Sequence, residues 1–346
     1  MIKQLVIVVI MSIAVGRSAF AYKNDPDYLK ARKGGAIARI ELSLVDDEGI
    51  PASNAAVRVL MGMNFRDRAY YINGSTNTNG EFLIEGKTTG NEIEIEISKD
   101  GYYKTSKKFC FATMGREYDV KDGRWQPWGM KCHLKLRPIR NPITLVSDVN
   151  GYYIPDTNRW IGFDMLMGDW VQPDCKGMVP DFEVYLEWDG KPSSDSQRLN
   201  LNFRAVDAGG GFYYADTVEE SLFHGVYCAL TNKVFLRTFS SRTFKQDGRL
   251  VKQGLPISKI LVLRSRCVHD EMGMLRQANY STINFIGVDG RRDGKGEMLL
   301  SYTFNPTTND MNLEDNKIFE RSRDSVRQCE PPPEEPKKSR KWFPWR

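Results

Sequence analysis

The sequence predicts an all-β protein, an N-terminal β-sandwich followed by a second β-rich domain with little helix, and three observations predict it. Glu92 to Ser98 alternates strictly, with Ile93, Ile95 and Ile97 on one face and Glu92, Glu94 and Glu96 on the other, the period-two pattern of a half-buried strand. Similar runs recur along the chain, separated by turn residues such as Asp46-Asp47-Glu48-Gly49 and Thr78-Asn79-Gly80. Helical periodicity is scarce: Asp216 with Glu219 resembles a capping box before a very short helix, and Leu313 to Gln328 could be one longer helix, with a thin apolar stripe.

The chain opens with Lys3, the apolar run Leu5 to Val15 and the triplet Ala19-Phe20-Ala21. That charged, apolar, A-x-A order is expected of a cleavable signal peptide, residues 1–21, so export to a bacterial periplasm or the exterior is expected. The run is about eleven residues, short of the roughly 20 that cross a bilayer. A polar lead-in, 22–35, comes next. Strands are then expected at Ala36 to Val45, Ala56 to Leu60, Glu81 to Ile84, Glu92 to Ser98 and Lys131 to Arg137, the last placing Cys132 inward and His133 outward.

Pro138 and Pro142 interrupt ladder pairing and mark a boundary between a first domain, 36–140, and a second, 141–329. In the second, Phe182, Val184, Leu186 and Trp188 alternate with polar neighbours, as do Leu199, Leu201 and Phe203, and the two runs read as a hairpin. Further strands are expected at Lys233 to Phe239, Lys259 to Val268 and Met298 to Phe304. From residue 330 the chain is a Pro-rich, basic and aromatic tail that cannot build a core and is expected to be disordered.

Charge excludes one class of partner. Removing residues 1–21 takes away Lys3 and Arg17 and no acid, so the net charge falls from +5 to +3, and most of the remaining excess lies in the tail. The body lacks the clustered basic face that nucleic acid requires. All six cysteines lie beyond residue 21, and an even count in an exported chain suggests disulfides. Cys110 and Cys132, close in sequence and within one domain, are the candidate pair; buried free thiols are the alternative.

At Glu48-Gly49-Ile50-Pro51, Asn54-Ala55-Ala56-Val57, Thr76-Asn77-Thr78-Asn79-Gly80-Glu81-Phe82 and Gly101-Tyr102, the first domain resembles the carboxypeptidase regulatory-like domain. That family is a small transthyretin-like, Ig-like β-sandwich attached to exported proteins. Asn54 stands where Gly is usual and Asn77 where Asp is usual, both acceptable turn residues. The resemblance runs over 36–110, extending to Arg137 with an appended hairpin. It implies a structural or accessory role, with no catalytic residue and no cofactor. Some members position a zinc peptidase, but no H-E-x-x-H motif occurs here. Residues 142–320 resemble the remainder of exported bacterial proteins that carry this domain, a likeness that implies no activity.

Candidate chemistry is sparse. His133, His224 and His269 lack the paired spacing of a metal module, and no G-x-S-x-G or S-x-x-K motif accompanies Ser221 and His224, so neither a metal site nor a catalytic residue is named. The acids and glycines of Asp289 to Glu297 miss the calcium-loop spacing and read as a hairpin loop. Trp160 and Trp170, with Asp164 and Asp169 close by, could form an aromatic platform for a sugar; packing between sheets is the commoner use of such rings. The tail, with Trp342, Phe343 and Trp345 among Lys and Arg, suits peripheral contact with an anionic membrane surface. The expected function is a non-catalytic binding or interaction module of the cell envelope, with a glycan or an envelope protein as partner. The alternatives are a hydrolase of envelope or dietary polymer, with carboxylates in 142–320, and a structural assembly component.

Overall fold

The computed structural model describes residues 25–62, 70–111, 120–189, 198–246, 249–256, 258–290 and 296–317. The expected signal peptide, the Pro-rich tail and Cys329 lie outside these residues.

A short helix, α1 (Pro26–Gly34), comes first. Asp25 caps it, its Oδ1 accepting from the N–H groups of Asp27 and Tyr28, and Pro26 opens the first turn. Tyr28 then meets the Trp125 ring edge-on at 6.4 Å, which anchors the helix to the first domain.

The first domain is two sheets facing each other. One joins β4 (Glu81–Thr88) antiparallel to β1 (Ala36–Val45); β8 (Arg124–Trp125) and β9 (Met130–Lys135) run parallel along the other side of β1, with β7 (Val120–Lys121) beyond β8. The other has the order β3 (Tyr70–Ser75), β2 (Ala56–Met61), β5 (Glu92–Ser98), β6 (Thr105–Cys110), all antiparallel. The alternation read from the sequence holds: Ile93, Ile95 and Ile97 meet Ile40, Leu42, Leu44, Val57 and Val59 in one dry core. Burial of such faces is the main force holding the layers together.

The second domain repeats the two-layer plan with its own core. A five-stranded sheet has the order β10 (Val146–Tyr153), β20 (Gly296–Asn305), β19 (Leu275–Gly290), β18 (Lys259–His269), β15 (Gly211–Asp216). A six-stranded sheet has the order β12 (Asp169–Trp170), β11 (Ile161–Asp164), β13 (Phe182–Asp189), β14 (Arg198–Ala205), β16 (Thr238–Gln246), β17 (Arg249–Gln253). The expected hairpin of β13 and β14 is present, with Val184 opposite Phe203 and Leu186 opposite Leu201. The outer face of the five-stranded sheet is partly roofed by chain: Tyr213, Val262, Ala278 and Tyr280 pack beneath Ala229 and Leu313.

Four expectations are corrected. No helix follows Asp216; residues 217–221 form turns that reach toward the first domain. Leu313 to Lys317, the described start of the second expected helix, is extended and turn-like, Asp315 bridging Ile143. The strand expected from Lys233 begins only at Thr238, because the segment before it passes from the edge of β15, where Leu236 pairs with Phe212, to the other sheet. The Cys110–Cys132 bridge is not formed: Cys110 alternates with buried Phe109 and so faces outward beside Glu92, while Cys132 points into the core from the opposite sheet. Side chains on opposite faces of different sheets lie outside the short Cβ separation a disulfide needs.

Candidate functional site at the domain junction

The two domains are tied by buried polar groups contributed from far apart in sequence. Glu314, 1% exposed, accepts from the Tyr103 hydroxyl at 2.8 Å and from the backbone N–H groups of Arg140 and Asn141 at 2.9 and 2.7 Å. Burial, then Glu314 itself, pushes the Tyr103 phenol far above its ordinary value, so it remains a donor. Arg137 donates to the carbonyls of Phe223 and Gly225 and lies between the faces of Phe223 and Tyr227. The Tyr227 hydroxyl donates to Pro138 O at 2.6 Å.

A second tie is made by backbone. The segment Glu220–Leu222 of the second domain pairs with the outer edge of β6: Ser106 N donates to Glu220 O, Leu222 N donates to Lys104 O, and Thr105 bridges Ser221. An edge strand that would otherwise present unpaired groups is thereby covered. Lys107 and Glu220 close the seam at 2.6 Å, each holding the other charged: Glu220 lowers below its ordinary value first through the Lys107 hydrogen bond, and Lys107 rises for the same reason.

Around Leu222 the junction leaves a groove of three neighbouring cavities that share lining residues. The first, about 580 Å³, lies against Asn54, Asp100 and Tyr102. The second, about 620 Å³, sits on the outward face of β2 and β5, where Ala56, Arg58, Glu96 and Ser98 lie across from Glu219 and His224. The third, about 540 Å³, lies on the outer face of the five-stranded sheet, floored by Thr282, Asn284, Ser301 and Thr303. Leu222 lines all three, and Glu219 and His224 line the last two. His224 is exposed, with Nδ1 against Val218 O at 3.1 Å, an acceptor that favours the proton on Nδ1. Among the described residues, the hydroxyls of Thr105 and Ser221, both buried and both lining the second cavity, have no hydrogen-bond partner.

The residues singled out in the sequence do not assemble into one site. Trp170 is 2% exposed and packs edge-on against Phe163, so it offers no face to a ligand. Trp160 is half-buried, and the Arg204 guanidinium covers it at 4.3 Å. His133 is exposed on β9, and His269 lies over Gly209, where an added Cβ would come within 2.8 Å of its Nε2. Among the described residues no group of three or more His, Cys, Asp or Glu is placed to hold a metal ion.

Two carboxylates do come together, in the interior. Asp164 and Asp181 share Arg266, whose Nη2 lies 2.8 and 2.9 Å from them; the two acids are 2% and 1% exposed. Asp181 also accepts from Ser265 Oγ and Met165 N, and Asp164 from the N–H groups of Leu166, Met167, Met178 and Val179. Burial pushes Asp164 up, but these donors and Arg266 outweigh it and hold the carboxyl below its ordinary value. Neither acid opens onto the groove, and the trio clamps the β11–β13 segment to the β18 bulge.

No family model matches the chain, and no curated protein matches it. Among solved structures, 3-chlorocatechol 1,2-dioxygenase from Rhodococcus opacus is similar over 31% of this chain and 61% of its own, at 13% identity and a TM-score of 0.24. Catechol 1,2-dioxygenase from Acinetobacter radioresistens is similar over 32% and 54%, at 12% identity and 0.25. The shaft pilin SpaA from Lactobacillus rhamnosus GG is similar over 81% and 94%, at 9% identity and 0.21. This chain thus covers less than two thirds of either dioxygenase, and TM-scores this low carry no argument about fold or chemistry.

Proposed function

We propose that the chain is an exported, non-catalytic binding module of the cell envelope that grips an extended polar polymer in the junction groove. The observation that carries this reading is the clustering of three cavities around Leu222 on a junction tied by buried hydrogen bonds. Preorganised walls favour binding because little freedom is lost when the ligand arrives. Arg58, Glu96, Lys104, Glu219 and His224 are exposed along the groove, Arg58 and Glu96 as an ion pair at 3.8 Å, and are open to contact with a ligand. The close acid pair that hydrolysis would call for is clamped by Arg266 away from the groove. Export is supported by the order Lys3, Leu5 to Val15, Ala19-Phe20-Ala21, and an accessory role by the likeness of the first domain to the carboxypeptidase regulatory-like sandwich.

The test is binding of the chain to a panel of envelope glycans and peptides, beside Ala56→Trp. Ala56 is exposed on β2 and lines two of the three cavities, so a Trp there fills the groove and leaves the core alone. Saturable binding lost in the variant at unchanged Tm is expected. Binding unaffected by Ala56→Trp, or none by either form, would overturn the reading.

A further inference from the structure

The geometry points to the third cavity as a subsite for one or two residues of a neutral or amino sugar, an inference that rests on the groove being the ligand site. Its floor is the outer face of β19 and β20, where Thr282 and Thr303 are cross-strand partners and Ser301 follows two positions before Thr303. A register shift between Ile283 and Phe285 leaves Asn284 exposed at the cavity. Bulges of this kind re-aim side chains beside sites.

Among the described residues these four polar side chains make no hydrogen bond, and the side chain of buried Ser221, in the neighbouring second cavity, makes none either. Several other inward or roofed polar groups of the same domain are taken up: Asn305 Nδ2 donates to Asp310 O and Asn312 O, Asn279 Nδ2 to Asn305 O, Thr243 Oγ1 to Val288 O and Ser265 Oγ to Asp181. Thr282 and Thr303 are 4% and 7% exposed as residues, so what their unpaired side chains present to the outside is presented to the cavity. Each hydroxyl offers a donor and an acceptor, and Asn284 offers both from one amide. A polyol presents the same alternation of donors and acceptors on every carbon, and it would satisfy such a floor.

Charge narrows the ligand further. Among the described residues the lining includes Glu219, Asp315 and His224 and no Lys or Arg, so a phosphate or uronate would meet carboxylates there and no cation. A neutral sugar meets no such penalty, and an ammonium group would be favoured by the two acids. The cavity volume, about 540 Å³, falls within the roughly 300–1,000 Å³ of small-ligand sites. Its shared wall with the second cavity, through Glu219, Leu222 and His224, lets further residues of a polymer continue across the junction.

The experiment is isothermal titration of the whole chain with cellobiose, diacetylchitobiose, glucosamine and glucuronate, each to about 10 mM, where a millimolar Kd saturates. At least one neutral or amino sugar is expected to bind, with glucuronate about tenfold weaker or worse. Thr282→Val with Thr303→Val should weaken binding about tenfold or more, since hydrogen-bond partners are lost with little change of volume. Asn284→Ala, at an exposed position that does not threaten folding, should weaken it several-fold, while Lys252→Ala on the distant edge strand should leave it unchanged. Equal or tighter binding of glucuronate, or a Kd indifferent to Asn284→Ala and to the threonine pair, overturns the subsite. Failure of all four sugars overturns it too, and if polymer binding still disappears in Ala56→Trp the groove itself stands with a different ligand.

Discussion

Two guanidiniums, half-buried Arg266 and buried Arg137, show how differently the same side chain holds this molecule together. Arg266 lies inside one domain and faces two carboxylates at 2.8 and 2.9 Å. Arg137 lies between domains, 5% exposed, and faces carbonyl oxygens and aromatic rings, its nearest carboxylate oxygen, on Asp47, being 3.9 Å away and its Nε making no hydrogen bond. Burial accordingly lowers Arg137 from its ordinary value, whereas the two aspartates overcome burial and raise Arg266. Charge neutralisation organises the interior of the second sandwich; dipoles and ring faces organise the seam. Removing the first cation strands two acids, while removing the second leaves no acid of comparable burial behind.

The largest effect expected from this contrast is Arg266→Ala, which leaves Asp164 and Asp181 without a counter-charge and should destabilise the second domain by about 3–5 kcal/mol in urea titration. Arg266→Lys should recover little, because an ammonium cannot reproduce the shared fork. A loss under about 1 kcal/mol would mean that the backbone donors alone carry the acids.

Arg137→Ala should cost less, about 2–3 kcal/mol from its hydrogen bonds to two carbonyls, and the loss should be one of coupling. A single unfolding transition that separates into two by calorimetry is the expected result; an unchanged single transition would show that the backbone seam along β6 suffices.

The smallest effect belongs to the Lys107–Glu220 pair at the edge of the same seam. Glu220 is lowered in the folded state, so its contribution is complete above the ordinary glutamate range and is lost as the pH falls through the lowered value. With side chains 36% and 30% exposed, the pair is screened by solvent and salt. Lys107→Met should flatten the acid limb of the Tm–pH curve slightly at low salt. A curve unchanged in slope would assign that limb to other carboxylates.

The sequence carried the first domain further than the second, for a physical reason. Where a sheet has one dry and one wet face, alternation reports it, as in Glu92–Ser98 and Phe182–Asp189. β19 escaped notice because residues 278 to 283 are all buried, one face by the core and the other by the roofing segments. Roofing erases the period of two. α1 left a legible signal in Asp25-Pro26, a capping residue followed by a proline at the first turn, though the polar segment lacks an apolar stripe. The groove was not legible. Its walls come from β2, β5, the turns after β15 and the outer face of β20, and the contact that fixes them joins residues 211 positions apart. Thr282 and Thr303 carried no signal of a site, since only the fold brings them together across β19 and β20.

The backbone seam along β6 also sets an order of events. As the chain is made, β6 is complete long before the segment that closes its edge, since Lys107 must wait 113 positions for Glu220. Through that interval the nascent first sandwich exposes an open strand able to pair with any extended neighbour. A polypeptide ending near residue 140 would keep that edge open permanently. Dissection of the protein at its domain boundary therefore yields a first half prone to self-association, and a holding chaperone acting before the second half emerges would serve it best.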